Sequence, residues 1–199
     1  MATIPNPAKS RTWDLGTSAN GTFFDTEFNQ LYANDNNLDT RVQSLEANPV
    51  VKYAKLSDVK ASNTAAGGAT TGSFITRTLN TEDIDADNIV SLASDQFTLG
   101  SGTYEIRASA PGYRVDRHKA VLYNVTDSAN TIIGTSENCS NQDDVQTRSL
   151  VSGRFTISGT KVFEIRQRFQ TGQATNGLGL ENGFGVSEVY TVVELWKVA

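Results

Sequence analysis

Few side chains in this sequence are equipped for catalysis or metal binding. The 199-residue chain has one histidine, His118, and one cysteine, Cys139. A Ser-His-Asp relay would have to use His118, with Asp116 two residues before it. Side chains two apart on a strand share a face without meeting, and no Gly-x-Ser-x-Gly elbow presents a nucleophile. His118 therefore reads as a structural hydrogen-bonding group at a strand start. Zinc takes several His or Cys ligands. One of each excludes a site within a single chain, and only three copies of His118 around an axis would supply enough imidazoles. Cys139 lies in the polar run Ser136 to Asp144 and reads as a loop or strand-end thiol without a role. Asp83-Ile-Asp85-Ala-Asp87 alternates like the start of a calcium loop, and Asp143-Asp144 forms a second acidic group. The glycine and terminal glutamate of the EF-hand are missing, so solvated turns are expected. A glycan depolymerase needs paired carboxylates in a groove, usually on a much larger β-solenoid. The sequence predicts no enzyme, no cofactor and no metal.

Bulk properties exclude other classes. Lys plus Arg number 17 against 22 Asp plus Glu, a net charge of -5, with no basic stripe interleaved with aromatics. Nucleic-acid binding is not expected. No apolar run approaches the roughly 20 residues that cross a bilayer, so membrane insertion is not expected. Met1 to Pro7 has neither a basic nor an apolar region of a secretory signal. A single cysteine permits no intrachain disulfide, which fits synthesis in a reducing cytoplasm.

The elements divide into four parts. Residues 1–21, with Pro5, Pro7, Gly16 and Gly21, read as an extended arm. Arg11 and Trp13 are its candidate anchoring residues: an exposed Trp on an arm docks into a partner or packs back on its own stalk. Residues 22–48 read as a helical stalk, with Thr22 and Asp25 placed like a capping box. Phe24, Phe28, Leu31, Leu38, Val42 and Leu45 recur at steps of 3 and 4 once Asp35 is counted, which is a heptad seam. Pro49 ends it. The stripe is narrow and the helix about 25 residues long, marginal alone in water. It either associates with copies of itself, a homotrimeric coiled coil, or lies on the head. Residues 49–72, rich in Gly, Ala and Thr beyond Ala61, read as a linker.

From Ser73 to Ala199 the period is two. Strands are predicted at 73–79, 89–92, 96–99, 103–110, 118–125, 131–136, 147–157, 161–170 and 186–198, with turns such as Gly100-Ser-Gly102 and Ser158-Gly-Thr160 between them. This is mainly β: an antiparallel jelly-roll sandwich. The last strand is apolar on both faces, with Val189, Val193 and Leu195 on one and Tyr190, Val192, Trp196 and Val198 on the other. Such a strand is central in the sandwich or is covered by another subunit. The long Gly/Asn/Thr loop 171–185 and the segment 138–146 supply candidate host-surface residues Asn138, Gln142, Asn176, Glu181 and Asn182, or else they are flexible or trimer-packing segments.

Two stretches resemble known families. Arg11-Thr-Trp13, Gly16 and Phe28-Asn-Gln-Leu31-Tyr32 resemble the opening of bacteriophage tail and fibre proteins. Phe97-Thr-Leu99-Gly-Ser-Gly102-Thr-Tyr104-Glu-Ile106, Ser109-Ala-Pro-Gly-Tyr113-Arg-Val and His118-Lys-Ala-Val-Leu-Tyr123-Asn124 resemble the C1q/TNF-like jelly rolls at the ends of phage fibres. The sequence departs from animal C1q domains in having few aromatics at its end beyond Tyr190 and Trp196. The resemblance implies a trimeric tail fibre or appendage protein, made in the host cytoplasm and carried on the virion. Its arm would join tail or baseplate proteins and its head would contact a host surface glycan. A decoration protein of the same fold without a receptor role is the alternative.

Overall fold

A computed structural model describes residues 21–46 and 51–198; within the helix, side chains are described for residues 28–44. The chain divides into two compact units, one holding the helix and one holding the strands. The arm with Arg11 and Trp13, the Pro49 stop and the side chains of Thr22, Phe24, Asp25 and Leu45 lie outside what is described. Helix α1 spans Gly21–Glu46. Its poor helix formers bond back onto its own carbonyls: Thr40 Oγ1 donates to Asn36 O at 2.8 Å and Ser44 Oγ to Arg41 O at 2.8 Å.

The second unit is an antiparallel sandwich. Its strands are β1 (Lys52–Lys60), β2 (Ile75–Thr76), β3 (Thr81–Ile84), β4 (Val90–Ala93), β5 (Gln96–Leu99), β6 (Gly102–Tyr113), β7 (Asp116–Asn124), β8 (Ala129–Cys139), β9 (Gln146–Ile157), β10 (Lys161–Phe169) and β11 (Glu188–Lys197). One sheet has the order β3-β1-β11-β6-β9; the other is β4-β5-β10-β7-β8, with β2 also on β10. Alternation buries one face of each. Leu56, Tyr104, Ile106, Val193 and Leu195 meet Phe97, Leu122, Phe163 and Ile165 in the main core. Phe163 stacks on Phe97 at 5.9 Å between ring centroids and tilts against Phe155 at 5.3 Å.

Of the expected linker 49–72, residues 51–72 are instead part of the head. Ala54 and Leu56 of β1 point inward and are fully buried, and β1 sits between β3 and β11. Residues 61–72 then pack against the loop after β10. Ala66 N donates to Gly179 O at 3.0 Å, Leu178 N to Gly67 O at 3.0 Å, and Ala69 and Gln173 exchange backbone bonds of 2.7 and 3.0 Å. The small residues are there for close approach. A Cβ on Gly68 would lie 2.2 Å from Ala174 O. The head therefore includes 51–72 and does not begin at Ser73.

A second core forms at this end from Ala66, Ala69, Val115, Cys139, Phe169, Leu178 and Tyr190. Cys139 ends β8 as a buried side chain, its thiol 3.8 Å from Asp116 O, and does not lie in a loop. The strand expected over 73–79 forms only at Ile75–Thr76, with one further backbone bond from Arg77 N to Ile165 O at 2.7 Å, and the Arg77 side chain turns inward. That guanidinium is fully buried. Nε donates to Thr191 Oγ1 at 2.9 Å, Nη1 to Pro111 O at 3.2 Å and Nη2 to Leu178 O at 2.7 Å. Burial pulls its pKa down to about 9, opposed by Asp58.

Candidate partner-binding faces

The residues of the predicted seam that are described lie on α1. Phe28, Leu31, Leu38 and Val42 are 47–65% exposed in the single chain, and Tyr32, beside the seam, is more exposed still. Burying side chains of this size contributes about 1.5–3 kcal/mol each.

On the head, β11 organises a face. Val193 and Leu195 lie in the main core as expected, but Val189 is exposed and Tyr190 is buried in the second core, the reverse of simple alternation. The cause is a β-bulge. Ser57 pairs with Val192 and Val59 with Val189, so Tyr190 and Thr191 together oppose Asp58. The bulge turns Tyr190 and Thr191 inward and leaves the Tyr190 carbonyl for Arg148, whose Nη1 reaches it at 2.7 Å and Ser109 Oγ at 3.1 Å.

Past the bulge, Val192, Glu194 and Trp196 point outward and are half-buried. Trp196 lies 5.3 Å from the Tyr53 ring, and the Arg107 guanidinium sits 5.6 Å over the indole. Tyr53 OH donates to Glu194 Oε1 at 2.9 Å; burial and then that carboxylate push the phenol up to about 12. A groove of about 720 Å³ runs between Trp196, Arg107, Arg154 and Val51. It continues into one of about 270 Å³ lined by exposed Leu150, Val192 and Ser152. Tyr53 and Leu150 were not singled out from the sequence. The adjacent pair Leu150-Val151, apolar on both faces of β9, was the available signal.

The predicted host-surface residues fall in two places. Gln142 is exposed in the β8–β9 turn, which Tyr113 ties to the 171–185 loop: its N–H donates to Gly177 O at 3.0 Å and its OH to Asp144 Oδ1 at 2.7 Å. In that loop Asn176 and Glu181 are half-buried and Asn182 is exposed. The loop is pinned. Gly179 has φ +148 and no room for a side chain, since a Cβ would lie 2.3 Å from Tyr190 Cδ1. Glu188 Oε1 accepts the N–H groups of Gly183, Asn182 and Asn63 at 2.8, 3.2 and 3.2 Å. These bonds hold its carboxyl below the usual range, the Gly183 bond foremost. The loop tip exposes Phe184 and Val186. Asn138 stands apart, on β8 opposite Arg117 of β7.

The acidic segments are used locally. Asp83 accepts from Ser57 Oγ at 2.7 Å and lies 3.7 Å from Lys55 Nζ; Asp85 accepts the N–H groups of Ile89 and Val90 at 2.9 and 3.0 Å. His118 is buried, with Nε2 2.9 Å from Thr147 Oγ1 and Nδ1 2.8 Å from Gln167 Nε2. Gln167 donates to Nδ1, so the ring is neutral with its proton on Nε2. Burial lowers its pKa to about 4; Glu137 opposes this and Arg77 adds to it. A folded pKa below the unfolded value of 6.5 means full stability above 6.5 and a loss as pH falls toward 4. Over that window His118 is expected to remove up to about 3 kcal/mol. Urea midpoints measured from pH 7.5 to 4.5 check this; a His118→Asn variant should show a flatter profile than wild type.

The fold is that of the TNF-like jelly rolls. Murine APRIL superposes with a TM-score of 0.52 at 8% identity, covering 74% of this chain and 99% of that one. Eiger TNF from S. frugiperda gives 0.52 at 9% identity, covering 76% and 94%. The globular domain of zebrafish complement 1qA gives 0.48 at 15%, covering 75% and 98%. No protein-family model matches the chain, and no curated protein sequence matches it.

Proposed function

We propose that this chain is a trimeric bacteriophage tail fibre or appendage protein whose head contacts the host surface. The observation that carries the reading is the exposed seam of Phe28, Leu31, Leu38 and Val42 on a helix whose chain continues into a TNF-like head. One copy leaves that stripe in water, and three copies bury it. The outward face around Trp196, Tyr53, Val192 and Leu150 gives the head its own contact surface. The phage assignment rests on the resemblance of Arg11-Thr-Trp13 and Phe28 to Tyr32 to fibre-protein openings, and in this reading Arg11 and Trp13 anchor the arm to tail or baseplate proteins. The chain acts by binding and not by catalysis.

Deleting residues 1–21 tests the assignment. The truncated protein is expected to stay soluble and to sediment as a trimer of the shortened chain, below three times the 21.5 kDa of the full chain, yet to be absent from particles assembled with it in place of wild type. Normal incorporation would place anchoring elsewhere in the chain.

A further inference from the structure

The outward face of the second sheet carries a charge pattern that folding alone does not explain. In the β10–β7 register Arg168 lies directly opposite Lys119, and on β8 Lys119 faces Ser136. The next row holds Arg117 opposite Asn138, with Gln170 beside them: Gln170 N donates to Arg117 O at 2.9 Å and Arg117 Nε to Gln170 Oε1 at 2.7 Å. Like charges directly opposite on a sheet face destabilise it. Among the described residues none of Arg117, Lys119 and Arg168 is in an ion pair. Arg166, two residues along, shows the contrast. It pairs with Glu164 and lies 3.4 Å over the Tyr123 ring. The three free cations line one wide groove of about 800 Å³ together with Phe74, Ser136, Gln170 and a single carboxylate, Glu137. This concentration of positive charge stands on a chain whose net charge is -5.

We propose that this groove binds an acidic polysaccharide, its carboxylates or phosphates seated between Arg168, Lys119 and Arg117. Two guanidinium forks and an ammonium supply charge-assisted bonds to anionic oxygens. Ser136, Asn138 and Gln170 offer neutral hydrogen-bonding groups for sugar hydroxyls, and the partly exposed ring of Phe74 offers an apolar wall for a sugar face. The site lies on the opposite sheet from the Trp196 face, so subunit contacts through that face leave it open. The inference deepens the attachment reading and rests on it.

The test measures binding of the full-length protein to three defined polymers at low and high salt: oligogalacturonate for carboxylates, poly(glycerol phosphate) for phosphates, and neutral dextran. Binding to at least one acidic polymer, weakened by salt and absent for dextran, is expected; which polymer binds identifies the acid group. The double variant Lys119→Ser, Arg168→Ser should lose at least tenfold in affinity while its sedimentation is unchanged and its melting temperature equals or exceeds wild type. Four results would overturn the proposal: no binding of either acidic polymer, equal binding of dextran, unchanged affinity in the double variant, or displacement of the bound polymer by single-stranded DNA at equal charge concentration. A wild-type trimer that still incorporates into particles but binds neither acidic polymer would remove this site and leave the attachment reading in place.

Discussion

Arg77→Ala is expected to lower the melting temperature of the head by roughly 10 °C. The guanidinium is fully buried, and its three bonds go to groups on three separate segments: Thr191 on β11, Pro111 on β6 and Leu178 in the 171–185 loop. Truncation orphans all three acceptors in the interior and leaves a void between them. It also removes a positive charge from the neighbourhood of Asp58, whose buried carboxylate has Lys60 Nζ at 3.2 Å and no hydrogen bond. Breaking one partner of such a buried arrangement costs about 3–5 kcal/mol, which for a domain of this size is about 2–4 °C per kcal/mol. Arg77→Lys should recover less than half of the loss, because one ammonium cannot span acceptors set for a planar fork. Thermal melts of the three proteins at equal concentration decide the matter; an Arg77→Ala midpoint within 2 °C of wild type would show that the second core does not depend on this side chain.

In the proposed trimer, Trp196→Ala is expected to separate the heads without unfolding them. Among the described residues of one chain the indole has Tyr53 and Arg107 as ring partners, worth about 1 kcal/mol each. At a subunit contact the same side chain is a buried aromatic, and truncating such a residue typically costs about 2–4 kcal/mol at every copy. Sedimentation at micromolar concentration should therefore move toward 21.5 kDa while the far-ultraviolet circular dichroism keeps its β signature. Lys161→Ala is the comparison. Lys161 Nζ pairs with Asp127 Oδ1 at 2.6 Å on the surface, and such pairs contribute about 0–1 kcal/mol. Identical sedimentation of all three proteins would show that the Trp196 face is not where subunits meet.

Strands with long runs of alternation were legible from residue types. Tyr104, Ile106 and Ala108 on β6 and Phe163 and Ile165 on β10 announce their buried faces without help from the rest of the chain. β1 offered only Ala54 and Leu56 before the bulge opposite Asp58 buried Ser57 and Asp58 together, so its period was too short to read. The same bulge reversed Val189 and Tyr190, since an extra residue in a ladder leaves no mark in residue types. Glycine in 61–72 is ambiguous in principle: it serves a loose tether and a tight contact equally, and only Ala174 and Leu178, a hundred residues away, decide which. The basic groove was invisible for the same reason. Lys119 and Arg168 are ordinary surface residues until strand pairing sets them side by side. The helix needed no tertiary information: the segment 22–48 read as helical forms α1, Gly21–Glu46.

The pairing of β1 with β11, from Lys52 opposite Lys197 to Lys60 opposite Glu188, has a consequence for biogenesis. The first strand of the head has its central neighbour in β11, which is made about 130 residues later. Until then β1 has an open edge, and the contact of 61–72 with the loop before β11 is unmade as well. Non-local pairing of this kind is slow and leaves strand edges exposed to other chains. The head thus closes only after β11 has been made, whereas α1 is complete long before. In the proposed trimer, nascent chains on a polysome would meet through their helices while their heads are still open, so pairing of helices would precede closure of the sandwich.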